Sequence, residues 1–442
     1  MIALLKSRHV GRLALWLMVA LVILWGLRLN LLEGFIYEWP RHFRGDFHQA
    51  MFGAWDGRGI FYGPVFVMER WLVNASPRVF NEYFFALLNL PLVALAFVFV
   101  SRAARLSAFT TVLSGALWLC FQWLPYAFSV SANPEILELA LLSSAWYVAA
   151  RHSTPVGAAA VVAAALIKRI PAIFLPIVLM TDGIKRSVVI GSVAVIAILV
   201  IVGIGQGMTP IEVAWRTMVP PSPSSPLIGP ANGTEWTTLS SAVLAQPFPY
   251  PSQFVGLNNA LPRLFARPVN DWSLPFFQGY YYVVLLSALA FAIFVAHGLL
   301  RRQQHLARGR ALTLVYGIFF GMMPLAAVTT HPHTFIFLLP TFSAVIALVA
   351  TEPHARFRRW LALLAAVSYL FIGFPAVVTP IDRLVHVRLS DAGLFQDPIW
   401  LNLALLIGLF AYATALLHRP KEGVGQDPRL EGRQAPAVRA GG

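Results

Sequence analysis

The chain has 442 residues, 58% hydrophobic and only 12% charged, with a mean hydropathy of +0.69. A soluble globular chain is about half apolar and a quarter charged, so that class is excluded and an all-α polytopic membrane protein is expected. The net charge of +14 reads as Lys and Arg in cytoplasmic loops beside anionic headgroups, not as a nucleic-acid surface, and the single cysteine, Cys120, excludes a disulfide framework.

At the N-terminus, Lys6, Arg8 and Arg12 precede an apolar run. No small-residue cleavage site follows convincingly, the pattern of a retained signal-anchor helix. Apolar stretches predict ten spans, at roughly 11–30, 83–101, 108–126, 136–150, 187–204, 278–299, 311–328, 335–350, 360–379 and 399–417. Residues 155–181 differ. There two apolar pieces, each too short to cross alone, are interrupted by Lys168-Arg169-Ile170-Pro171.

Basic clusters set the count. They fall at Arg102/Arg105, Arg151, Lys185/Arg186, Arg301 to Arg310, Arg356 to Arg359 and Arg419/Lys421. With a cytoplasmic N-terminus and residues 155–181 entering and returning as a re-entrant pair, every cluster lies inside. A single crossing at 155–181 would move all later clusters outside. The expected protein is therefore one transmembrane domain over 1–420, with ten full spans, a re-entrant helix pair and both termini cytoplasmic. Residues 421–442, rich in Gly, Pro and Arg without apolar periodicity, form an expected disordered cytoplasmic tail.

Among the segments this count places on the outer side are 31–82, 127–135, 205–277 and 329–334. The first contains Arg41 to Pro64, where Asp46, Asp56, Arg41, Arg44, Arg58, His42 and His48 alternate with aromatics and glycines. Such a mixture suits a segment that lies at the membrane surface and holds a polar ligand. Asp56, followed by Gly57, reads as a turn residue. Asp46 reads either as a helix N-cap for the residues after it or as a general base taking a proton from a hydroxyl nucleophile. The long loop 205–277 begins with a Pro- and Ser-rich run, Pro220 to Pro226, and is long enough to cover a site.

Three further groups carry chemistry. Lys168 and Arg169 either snorkel to water or face an anion, and Pro171 just after them opens a helix whose free backbone N–H groups suit a phosphate. His331-Pro332-His333 is a weak metal pair without cysteine or carboxylate nearby, but a suitable donor pair for an anionic leaving group. Asn133 and Glu135, flanking Pro134, either cap the helix that follows or contact a sugar. Arg263 in the long loop offers another phosphate contact.

In order along the chain stand an acidic residue in the first outer loop, the turn Phe61-Tyr62-Gly63-Pro64, the helix segment Leu88-Asn89-Leu90, Gly157 through Lys168-Arg169-Ile170-Pro171, Asn258 to Arg263, and His333-Thr334-Phe335 running into Leu338-Leu339-Pro340. This order resembles the GT-C superfamily of integral-membrane glycosyltransferases, and within it the polyprenol-phosphate-mannose-dependent mannosyltransferases. The likeness extends over most of residues 40–340. It departs at Ser131-Ala132-Asn133-Pro134, where the family often has Gly-Gln-x-Asn, and in the Pro220–Pro226 run.

The resemblance implies a membrane enzyme that moves a hexose, mannose above all, from a polyprenyl phosphate donor to a glycan or glycolipid acceptor with inversion. Asp46 would be the catalytic base. Lys168, Arg169, Arg263, His333 and His331 would hold the donor phosphate, and His48, Tyr62, Asn133 and Glu135 would line the sugar or acceptor site. Neither metal nor cofactor is expected, and the bacterial inner membrane is the expected location. The competing readings are an O-antigen ligase or polymerase, which would centre on a large late loop and lack the early aspartate, and a flippase or transporter, which would show internal repeats. A non-catalytic assembly subunit is a third.

The topology is directly testable. Single cysteines at positions 225 and 390 label from the outer side, whereas a cysteine at position 305 does not; labelling of 305 from outside removes the re-entrant pair.

Overall fold

The computed structural model describes residues 82–129, 135–151, 156–218, 274–301, 308–326, 332–373 and 398–418, with 16–17, 20–21, 23–28, 64, 72 and 75–79. These are helical, with no strand among the described residues. In order they form α1 (Glu82–Ala103), α2 (Ala108–Cys120), α3 (Trp123–Ser129), α4 (Glu135–Arg151), α5 (Val156–Ala165), a 3-10 turn (Ile170–Phe174) and α6 (Leu175–Asp182). There follow α7 (Ile184–Gln206), α8 (Pro210–Met218), α9 (Leu274–Arg301), α10 (Arg308–Ala326), a second 3-10 turn (Pro332–Phe337), α11 (Leu338–Thr351), α12 (Ala355–Gly373) and α13 (Pro398–His418).

Five helices among the described residues are long and apolar enough to cross a bilayer: α7, α9, α10, α13, and α11 taken with the end of the turn before it. They divide into two kinds. In α10 and α11, 89% and 78% of the apolar stretch is buried in protein, against 22% in α7 and 28% in α9. The outer two expose Val189, Val193, Ile196, Val283, Leu286 and Phe294. An apolar face of that extent is what lipid covers.

Helix α10 is the hub. Gly317 and Gly321, four residues apart, present one small-residue stripe. A methyl at Gly317 would sit 2.8 Å from the Ala344 Cβ of α11, and one at Gly321 would sit 2.9 Å from Leu406 Cδ2 of α13. At that closeness polar side chains reach across to backbone. Thr341 Oγ1 donates to the Gly317 carbonyl (2.9 Å) and Asn402 Nδ2 to the Gly321 carbonyl (3.0 Å). A second buried polar knot joins α2 to α11: Ser343 Oγ lies 2.7 Å from Ser114 Oγ, accepts from Trp118 Nε1 (2.9 Å) and donates to the Leu339 carbonyl.

The interrupted segment folds back on itself. An added Cβ at Gly157 would lie 3.3 Å from Asp182 Oδ2 and 3.7 Å from the Ala145 carbonyl, so the two ends of 157–182 meet, with Arg308 in electrostatic reach of Asp182. Between them Phe174 packs on Tyr316, Phe319 and Phe320 of α10, with ring centroids 5.0 Å apart for Phe320. Trp146 of α4 stacks on the same Tyr316 at 5.6 Å. The hairpin is thereby wedged against the hub.

Two expected elements differ in detail. The apolar run 108–126 is not one helix: it stops at Cys120, Phe121 turns extended (ψ 111°), and Gln122 donates its backbone N–H to the Gly373 carbonyl (3.0 Å). Trp123 Nε1 donates to the Ile372 carbonyl (2.6 Å), so the end of α12 supplies the partners that a break in apolar surroundings requires. The long loop expected over 205–277, for its part, opens with α8. Gly207, at φ +64°, closes α7 in a left-handed cap while the Met208 N–H bonds the Gly203 carbonyl. Thr209 and Glu212 then cap α8 reciprocally, the Thr209 N–H to Glu212 Oε2 (2.8 Å) and the Glu212 N–H to Thr209 Oγ1 (3.2 Å).

The stripe on α10 makes a paired prediction. Gly317→Ala forces a methyl against a rigid Ala344 Cβ and costs about 1–3 kcal/mol. Gly279→Ala, where an added Cβ meets nothing within 4 Å among the described residues, is neutral or stabilising by up to about 1 kcal/mol. Denaturant unfolding in detergent separates the two.

Candidate functional site

The hairpin tip is built by local hydrogen bonding. Past α5 the chain tightens, the Leu166 N–H bonding the Val162 carbonyl (2.9 Å) and the Ile167 and Lys168 N–H groups bonding the Ala164 carbonyl (3.0 and 3.2 Å). Pro171 follows in the first turn of the 3-10 segment, where its missing N–H costs nothing. Lys168 and Arg169 are therefore held at the turn, Lys168 pointing inward and Arg169 exposed.

Lys168 Nζ donates to Glu135 Oε1 at 2.7 Å. Glu135 is the first residue of α4, where a carboxylate also meets the positive end of the helix dipole. The same Oε1 accepts from Thr334 Oγ1 of the second 3-10 turn at 3.3 Å. Three elements far apart in the chain thus converge on one carboxylate oxygen. The Lys168 and Glu135 side chains are 13% and 4% exposed, so the pair is largely out of water and breaking it on one side leaves a buried charge.

Glu138 follows one turn along α4. It is 1% exposed, neither carboxyl oxygen has a hydrogen-bond partner among the described residues, and Lys168 and Glu135 lie in its electrostatic reach. An ionisable group enclosed in an apolar bundle marks a functional site more often than a packing role. Lys168, Glu135, Glu138 and Thr334 form the candidate site, with Arg169 at its edge.

Of the residues singled out in the sequence, Lys168, Arg169 and Glu135 are thus together. His333 lies in the 3-10 turn beside Thr334, with only its backbone described. Asp46, His48, Tyr62, Asn133, Arg263 and His331 lie outside the described residues, as do the loop beyond Met218 up to Ser273 and the tail beyond His418. Glu138 and Thr334 were not singled out from the sequence as site residues. A second carboxylate three residues after Glu135, on the same helix face, was the available signal.

A second charged cluster closes the other end of the bundle. Arg310 and Tyr412 both bond Glu352 Oε2 and each other, and the His354 N–H donates to Glu352 Oε1 at 3.0 Å. The Glu352 side chain is fully buried. Here one carboxylate ties α10, α11 and α13, a structural clamp with its acceptors in use. Between α6 and α9 lies an apolar groove of about 420 Å³, bordered by Pro176, Met180, Phe294 and His297. Its walls offer little to hold a charged ligand.

Long apolar helices with outward apolar faces, and charges drawn to the two ends, define an all-α membrane protein. No family model, no curated protein and no solved structure matches the chain.

The ion pair predicts a double-variant result. Lys168→Met leaves a buried carboxylate uncompensated and lowers stability by about 3–5 kcal/mol, whereas Lys168→Met combined with Glu135→Met recovers most of the loss. Chemical unfolding of the four proteins in the same detergent measures it.

Proposed function

We propose that the protein is a membrane glycosyltransferase of GT-C type. It moves a hexose, mannose by resemblance, from a polyprenyl phosphate donor to a glycan or glycolipid acceptor on the outer face of a bacterial inner membrane. The observation that carries this reading is the convergence of Lys168, Glu135 and the turn bearing His333 and Thr334 at one end of the bundle. The topology that goes with it has both termini cytoplasmic, ten crossings, and the re-entrant pair 155–181 entering from the cytoplasmic side with its tip towards the outer face.

The chemistry suits that depth. A polyprenyl phosphate sugar keeps its chain in lipid and its phosphate at the interface. As the bond from the anomeric carbon to the phosphate oxygen breaks, negative charge gathers on the leaving phosphate. Preorganised donors there favour the transition state over the ground state. Lys168 and Arg169 supply them, joined in this reading by Arg263, His331 and His333. On the opposite side of the sugar, the acceptor oxygen attacks the anomeric carbon and passes its proton to the Asp46 carboxylate, which inverts the centre. His48, Tyr62 and Asn133 complete the sugar or acceptor site.

Asp46→Asn tests the reading. Asn caps a helix about as well as Asp but cannot take a proton, so transfer from a radiolabelled polyprenyl phosphate sugar in membranes falls by roughly 100-fold or more. Asp56→Asn retains most activity, because a turn tolerates Asn. Near wild-type transfer by Asp46→Asn removes the assignment.

A further inference from the structure

We propose that Lys168 and Thr334 form a seat for a phosphate oxygen, and that Glu135 fills this seat as an internal anion until the ligand displaces it. The inference rests on the reading above and assigns Glu135 a role other than sugar contact. Two side-chain donors from different elements, Lys168 Nζ at 2.7 Å and Thr334 Oγ1 at 3.3 Å, point at one anionic oxygen. That arrangement recognises an oxygen with negative charge and distinguishes little between carboxylate and phosphate, since an ammonium is a compact point charge.

Several features favour exchange at this point over a permanent structural tie. The seat is at a turn, and its neighbour Arg169 is exposed, so a ligand with more than one anionic oxygen finds a second cation at the rim. Glu138 keeps a further carboxyl in the electrostatic reach of Lys168, with no hydrogen-bond partner among the described residues. Glu352, at the far end of α11, is held differently: its two oxygens accept from Arg310, Tyr412 and the His354 N–H, and no turn with an exposed cation adjoins it in the way Arg169 adjoins Lys168.

An occupied seat lowers apparent affinity by the fraction of molecules in which it is open. Glu135→Gln keeps the shape and removes the competing charge, and so tightens phosphate binding, by about tenfold if the seat is open in one molecule in ten. Loss of a merely structural contact would weaken binding instead. Calorimetric titration of the full-length protein in detergent with farnesyl phosphate, and separately with inorganic phosphate, reads this directly. A gain for both probes assigns the seat to the phosphate group alone; a gain for farnesyl phosphate only assigns it to a lipid-borne phosphate. Adding Lys168→Met to Glu135→Gln abolishes the gain.

Glu138→Gln is the control, because it changes the neighbouring carboxyl without vacating the seat, and its gain is the smaller one. An equal gain in Glu138→Gln, or unchanged or weaker binding in Glu135→Gln, overturns the internal-anion role while the phosphate site stands. If Glu135→Gln does not fold, Glu135→Asp draws the carboxylate back by one methylene and tightens binding to a lesser degree; no tightening there overturns the role equally. Absence of binding to the wild-type protein overturns the donor-phosphate reading itself.

Discussion

The bundle depends on how closely three helices approach at Gly317 and Gly321 of α10. In lipid the hydrophobic effect gives helices no reason to prefer each other over hydrocarbon, so association rests on packing and on hydrogen bonds between helices. Two missing side chains let α11 and α13 come near enough for Thr341 and Asn402 to reach the α10 backbone. The opposite side of α10 carries Tyr316, Phe319 and Phe320, against which α4 and the hairpin pack. Small residues on one face and aromatics on the other make one helix the common wall of the assembly.

That wall has a consequence for the charges. Because Phe174 seats the hairpin on α10, its tip reaches the end of the bundle where α4 begins and α11 follows its 3-10 turn. Lys168 is brought there by the packing of its hairpin and not by its own charge; the ammonium alone would favour water. The opposite ends of the same helices carry the Arg310–Glu352–Tyr412 clamp. One end is therefore fastened by a carboxylate with its acceptors in use. The other holds a carboxylate oxygen between two donors, and beside it a second carboxyl, Glu138, with no hydrogen-bond partner among the described residues.

Both charged ends centre on a buried carboxylate, and breaking either pair on one side strands a charge. In the function proposed above, an anion arriving at the Lys168 end must therefore take the place of Glu135 as the partner of the ammonium. The two donors that Lys168 and Thr334 present to a single oxygen are the groups such an exchange would use.

The sequence by itself determined the class and most of the helices, because hydropathy is a sum over neighbours and survives without tertiary information. It also located the interruption at Lys168 to Pro171, since two charges and a proline within an apolar stretch admit few continuations. It did not contain the break at Phe121, whose flanks are as apolar as any span; that break exists because Gly373 and Ile372 offer carbonyls to Gln122 and Trp123. Nor did it contain the pairing of Glu135 with Lys168 and Thr334, which lie 33 and 199 positions away. A charge announces its cost in the sequence. Which atom meets that cost is decided only when the helices pack.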